Sequence, residues 1–272
     1  MSIEEFEWWH PIQGFSEDFD IRDSLKEDGS NYQNNAHGFR CDEFTTNHKG
    51  KHILFSGCSV TYGSGLKKEE VWAYKVYDKI NKTEGASGYF NLGLSGNNNI
   101  NSILNIFKYC KKFGNPDMIF INLTSESRFF DYKEDEKRYR IVSHNVFHDK
   151  YHIAKLINYN FYFILEQYCK SNNIQLFSFS WNLYDEHFLN KQKNNFANIV
   201  LKSTNDSFRD YNFKTFYHID EKYLYNELFL LKEKYDNPFF ETARDIIKHR
   251  GNGIHMFWAD FIYNKYLENN KK

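Results

Sequence analysis

The chain has 272 residues, 41% hydrophobic and 26% charged. At that size folding hides roughly 70–75% of the unfolded surface, so a full core forms without disulfide or metal staples. Lys and Arg number 35 against 36 Asp and Glu, for a net charge of -1, and no long run of one sign occurs, which argues against a general grip on nucleic acid or an anionic membrane. Aromatic residues make up 19%, with 27 Phe and 20 Tyr; a thick aromatic core accounts for most of them, and a sugar-binding surface for a few.

The opening "MSIEEFEWWHP" is acidic and lacks the basic start and apolar run of a secretory leader. No apolar stretch approaches the roughly 20 residues that span a bilayer. Cys41, Cys58, Cys110 and Cys169 show neither metal-like pairing nor a dense framework. The expectation is a membrane-free protein of the reducing cytoplasm. Prolines stand only at 11, 116 and 238, and no Gly/Ser-rich linker divides the chain. Residues 1–50 are polar and turn-rich, as in a wrapping arm, and residues 51–272 are expected to form one α/β domain.

In chain order, "KHILFSG" (51–57) is an apolar run closed by Gly57, as in a buried parallel strand. Residues 69–82 put Val71, Trp72, Val76 and Ile80 on helical spacing. "YFNLG" (89–93) reads as a second strand, residues 98–114 as a helix ended by Gly114, and "DMIFINL" (117–123) as the clearest strand. A long helix is expected over 150–172, with Ile153, Leu156, Ile157, Phe161, Ile164, Leu165 and Tyr168 inward. Strands follow at 174–181 and 213–219, and a last helix at 254–268. This alternation predicts a three-layer α/β/α sandwich around a mostly parallel, flavodoxin-like sheet of about five strands. Reactive groups in such sheets sit on loops at the carboxyl ends of strands, here the loops beginning at residues 57, 93, 124, 181 and 219.

The loop "SGCSVTYGSGL" (56–66) follows the first strand and is built from small residues that let a backbone approach a ligand. It admits three readings. A phosphate cradle lacks the Lys that follows Gly in the common nucleotide loop. A cysteine phosphatase loop lacks an Arg shortly after Cys58. The third is a serine nucleophile on a strand-to-helix turn whose own amide helps bind an oxyanion.

"GCSVTYG" resembles the first block of the SGNH/GDSL hydrolases, a Gly-x-Ser-x-x-x-Gly turn after the first strand. By that resemblance Ser59 is the nucleophile, and Cys58 fills the position often held by Asp. The upstream "NNAHGFR" (34–40) is similar to an Asn-x-x-Gly-Phe-Arg lead-in found in some members. The second block, a Gly whose amide joins the oxyanion hole, is matched by "NLGLSGNNN" (91–99), with Gly96 the better fit, Gly93 structural, and the asparagines free to cap the next helix. The third block normally carries an Asn after the third strand. Here "TSESRFF" offers none, Asn122 belongs to the strand, and Ser125 stands as the substitute donor. Loss of one oxyanion donor costs about a hundred- to thousandfold in rate. Arg128 is placed beside the cleft.

The family's base lies near the C-terminus. Its sub-type pattern of Ala-Arg-Asp, His-Pro-Gly and a second His is similar to Ala243-Arg244-Asp245, His249-Arg250-Gly251 and His255, with the Asp-to-His spacing one residue longer and Arg250 in place of Pro. The resemblance makes His249 the base and Asp245 its orienter. The alternative base is His255, with Asn252 where the acid would be. Asn cannot stabilise an imidazolium, and losing that carboxylate costs roughly four orders of magnitude in serine proteases.

The implied activity is serine ester hydrolysis, with small acyl groups, acetyl above all, removed from a carbohydrate or similar small-molecule ester. Ser59, Gly96 and Ser125 would line the oxyanion hole, and Arg128 and Trp181 would contact substrate. No metal or organic cofactor is implied, since His144, His148, His152, His187 and His218 lack zinc spacing. No nucleic-acid or membrane partner is expected. The alternative is a weak or inactive binding protein on the same scaffold, such as a virion-associated component.

Overall fold

A computed structural model describes residues 33–124, 128–133, 138–143, 148–180, 216–218 and 252–271. In chain order these form β1 (Ile53–Ser56), α1 (Ser59–Tyr62), a 3-10 turn (Lys68–Glu70), α2 (Trp72–Glu84), β2 (Phe90–Asn91), α3 (Asn99–Phe113) and β3 (Met118–Leu123). A hairpin of β4 (Arg128–Lys133) and β5 (Arg138–Ser143) follows, then α4 (His148–Ser171), β6 (Gln175–Ser180), β7 (Phe216–His218) and α5 (Asn252–Asn270). The five expected strands pair in the order β2-β1-β3-β6-β7, every pairing parallel. That is the flavodoxin-like arrangement.

Strand alternation sorts the two covered faces. Phe55, Phe120 and Phe177 are register partners on neighbouring strands. Their rings stack at centroid distances of 5.3 and 4.7 Å. This row meets Trp72 of α2 at 5.7 Å and Tyr266 of α5 at 6.0 Å, while the adjacent Ser56 Oγ donates to Ser102 O of α3. So α2 and α5 cover one face, and α3, packed on α4, covers the other. Each aromatic pair contributes about 0.5–1.5 kcal/mol beyond area burial, which gives the high aromatic content its structural use.

Val71, Trp72, Val76 and Ile80 are all buried, as expected from their spacing. The long helix α4 differs from expectation. Ile157 and Ile164 are 40% and 49% exposed, whereas Asn158, Tyr162, Leu165 and Cys169 face inward. Apolar residues run most of the way round this helix, so periodicity alone does not select a stripe, and packing on α3 and β6 does. Phe161 and Tyr168 are half-buried, and the side chains of Ile153 and Leu156 lie outside the described part of the helix. The β4–β5 hairpin has no counterpart in the sequence analysis, because its charged "EDEK" connection (134–137) lacks the Asn-Gly type of hairpin cue.

All four cysteines are buried and free. Burial pushes the Cys110 thiol up to about 11 and Cys169 up to about 12, so these two are packing residues. No helix among the described residues is long and apolar enough to cross a membrane. Among the same residues no group of three or more His, Cys, Asp or Glu is placed to hold a metal.

At the amino end of the sheet the His48 and His52 rings stack at 3.5 Å, and His52 Nε2 bonds Tyr109 Oη at 2.8 Å. Burial, and secondarily the His48 ring, lower the His52 pKa from 6.5 to about 4. Below pH 6.5 the unfolded chain therefore binds a proton that the folded chain refuses, and this contribution to stability is lost as the pH falls from 6.5 towards 4. The slope is bounded by about 1.4 kcal/mol per pH unit. Thermal melts between pH 7 and 4.5 should show a steeper loss for wild type than for His52→Phe; identical slopes would remove His52 as the cause.

Candidate active site

The strand order reverses between β1 and β3, where open parallel sheets receive their ligands. The loops after β1 and β2 and the exit of β3 at Thr124 converge there; the second is joined by hydrogen bonds to the first, the small-residue loop singled out above, and the third is joined through Asn99.

Cys58 precedes α1, the single turn that begins at Ser59, and caps it without a side-chain hydrogen bond. Thr61 N and Tyr62 N both donate to Cys58 O at 2.9 Å, and Gly63 N and Ser64 N donate to Ser59 O at 2.9 and 3.0 Å. Ser59 is thus held in a tight turn, 6% exposed. Gly63 closes the turn in the left-handed region at φ 78°, and a Cβ there would lie 2.1 Å from Val71 Cγ2. Only glycine satisfies both constraints.

The loop after β2 is stapled to this turn. Asn91 Nδ2 donates to Thr61 O at 2.8 Å, while its Oδ1 accepts Gly93 N at 2.8 Å. A second donation from Asn91 Nδ2 reaches Tyr89 Oη at 2.8 Å. Gly93 approaches so closely that a Cβ would lie 2.6 Å from Tyr62 N and 2.8 Å from Thr61 C, a structural reason for glycine here. Around Gly96, by contrast, a Cβ would meet nothing within 4 Å. Its main chain borders open space.

The three asparagines after Gly96 divide the work. Asn98 caps α3, its side chain accepting Asn101 N at 2.8 Å. Asn97 Nδ2 donates to Gly57 O at 3.1 Å, where Leu94 N also donates at 3.2 Å. Asn99 exchanges two bonds with the Thr124 backbone, at 2.9 and 2.7 Å, and so fixes the exit of β3. Asn91, Asn97 and Asn99 are site-building residues that the sequence analysis did not assign. The visible signal was a run of three asparagines where one cap would suffice.

Arg128, the first residue of β4, donates from Nη1 to Asn97 O at 3.1 Å, so the hairpin starts beside the Gly96 loop. Asn122 lies within β3 as expected. It is buried, and among the described residues neither its Nδ2 nor its Oδ1 has a partner. Ser125, Trp181, Asp245 and His249 lie outside the described residues.

His255 sits in the first turn of α5, buried against Trp258. Its Nδ1 accepts the first amide of α2, Trp72 N, at 3.1 Å. A neutral imidazole that accepts at Nδ1 carries its proton on Nε2, so in this arrangement it has no lone pair to offer a hydroxyl. Asn252 is the first residue of α5. The structure therefore gathers Ser59, Gly96 and Arg128 around one switch point, and seats His255 as a tie between α2 and α5.

The chain matches no protein-family profile and no curated protein. Among solved structures it is similar to the acetyl xylan esterase Est2A from the rumen bacterium Butyrivibrio proteoclasticus, with 14% identity and a TM-score of 0.43 over 81% of this chain. It spans 64% of that protein's length. It is also similar to the acetyl xylan esterase AlAXEase, with 18% identity and a TM-score of 0.42 over 78% of this chain and 98% of that one.

Proposed function

We propose that this chain is a serine ester hydrolase of the SGNH/GDSL type that removes small acyl groups, acetyl first, from a carbohydrate or similar ester. The observation that carries the reading is the convergence of the Ser59 turn, the Gly96 loop and the end of β3, bound together through Gly57, Thr61 and Thr124. The first two of these loops carry the residues that resemble the family's first two blocks, Ser59 and Gly96, while the segment after β3 lacks the Asn of the third.

In the proposed reaction His249, oriented by Asp245, takes the Ser59 proton as Oγ attacks the ester carbonyl. The amides of Ser59 and Gly96, with the Ser125 hydroxyl, hold the oxyanion. Collapse breaks the ester C–O bond, and His249 returns the proton to the leaving alcohol. Water then attacks the acyl-enzyme with the same base, releasing the carboxylic acid and regenerating Ser59. Arg128 and Trp181 are assigned to the substrate. His249 is preferred over His255 because His255 Nδ1 is already engaged by a backbone amide and because Asn252 offers no carboxylate.

Labelling with a fluorophosphonate probe, followed by peptide mapping, tests the class and the nucleophile together. The expected adduct is on Ser59. Absence of an adduct, or an adduct on another serine alone, rejects the reading.

A further inference from the structure

The Asn-x-x-Gly-Phe-Arg lead-in has no part in the steps above, yet the structure gives it a definite place. Asn35 Oδ1 accepts the amides of His37 and Phe39, each at 3.0 Å, and Asn35 Nδ2 donates to Asp42 O at 3.2 Å. Phe39 is fully buried in the core. Asp42 is held by Tyr89, the residue before β2, its amide donating to Tyr89 O at 3.0 Å and its carboxylate accepting Tyr89 N at 2.9 Å. Anchored on both sides, the segment delivers Arg40, 4% exposed, to the underside of the small-residue loop. There Nη1 donates to Gly63 O at 2.7 Å and to Tyr62 O at 3.4 Å, and Nη2 donates to Leu66 O at 2.6 Å.

Tyr62 is the last residue of the four-residue helix α1 and Gly63 its cap, while Leu66 lies further along the same loop and donates its amide to Gly63 O at 3.1 Å. So short a helix leaves its last carbonyls few partners of its own, and burying a carbonyl without a partner is costly. A planar guanidinium answers several at once with charge-assisted bonds, and its charge complements the carboxyl end of the turn. Lys, with a compact ammonium, cannot span the same fork.

We propose that Arg40 is the positioning residue for Ser59: its guanidinium clamps the carbonyls at the end of the α1 turn and so fixes the direction in which the Ser59 hydroxyl is presented. This rests on the esterase reading for its purpose, but the clamp itself is testable without it. In Arg40→Ala, kcat for p-nitrophenyl acetate should fall about a hundredfold, the scale of an ångström-sized misplacement of a reacting group. KM should stay near the wild-type value, because the guanidinium bonds backbone carbonyls of the protein and not the substrate. Millimolar N-ethylguanidinium should restore part of the activity, a rescue that a merely destabilised core would not show.

Hydrogen exchange supplies the independent readout. Amides 61–66 should exchange faster in the variant while those of β1 and β3 keep their protection. Wild-type kcat in Arg40→Ala, or an exchange increase spread equally over β1 and β3, overturns the proposal. If Arg40→Ala does not fold, Arg40→Lys decides, and unchanged kcat with unchanged exchange in that variant overturns it. A wild-type protein inert to ester and probe, together with localised exchange in the variant, rejects the esterase reading and leaves the clamp standing.

Discussion

Ser59→Ala should abolish p-nitrophenyl acetate turnover, with a loss of at least about a thousandfold relative to wild type. The fold should survive it. Ser59 makes its observed turn contacts through its backbone carbonyl, which accepts Gly63 N and Ser64 N, and alanine is a better helix former than serine at such a position. An unchanged melting temperature with no activity would therefore assign the defect to the missing hydroxyl. Equal rates in wild type and variant would end the nucleophile assignment, whatever the fold.

Gly93→Ala should damage stability and activity together. The added methyl would sit 2.6 Å from Tyr62 N and 2.8 Å from Thr61 C, and both are main-chain atoms that cannot turn aside as a side-chain tip could. Overpacking of this kind costs about 1–3 kcal/mol, which for a chain of this size corresponds to a fall of roughly 2–12 °C in Tm. The backbone pushed is that of the Ser59 turn, so kcat should fall by about a hundredfold as well. Gly96→Ala is the contrast: its Cβ would enter open space, although the residue's φ of 73° still strains an L side chain by about 1–2 kcal/mol. Gly93→Ala with wild-type Tm and kcat would show that the two loops do not press on each other as described.

Much of this architecture is readable from residue order because its signals are local. A buried parallel strand is a short apolar run, and 53–56, 118–123 and 175–180 stand out on that ground alone. The stripe of Val71, Trp72, Val76 and Ile80 at α2 is legible because Lys75, Asp78 and Lys79 break the apolar run along it. On α4 the apolar residues occupy most faces, with an unbroken run at 161–165, so Ile157 and Ile164 could not be told from Tyr162 and Cys169 until packing on α3 and β6 chose between them. The hairpin of β4 and β5 pairs through a charged connection without turn chemistry, and only the ladder reveals it.

The site divides in the same way. Ser59 and Gly96 are marked by the company of small residues, a property of the chain itself. That Gly93 must be glycine, that Asn91, Asn97 and Asn99 staple separate loops, and that His255 is engaged by Trp72 N are decided by contacts across 25 to 183 positions of sequence. Arg40 shows both sides: its motif is visible in the chain, but its task, donating to carbonyls 22 to 26 residues away, exists only after folding. Residue order determines which segments become strands and helices, because hydrophobic spacing and backbone preference act over a few residues. Tertiary structure alone decides which buried polar groups meet, because a hydrogen bond depends on distance in space and the chain brings remote positions together only by folding.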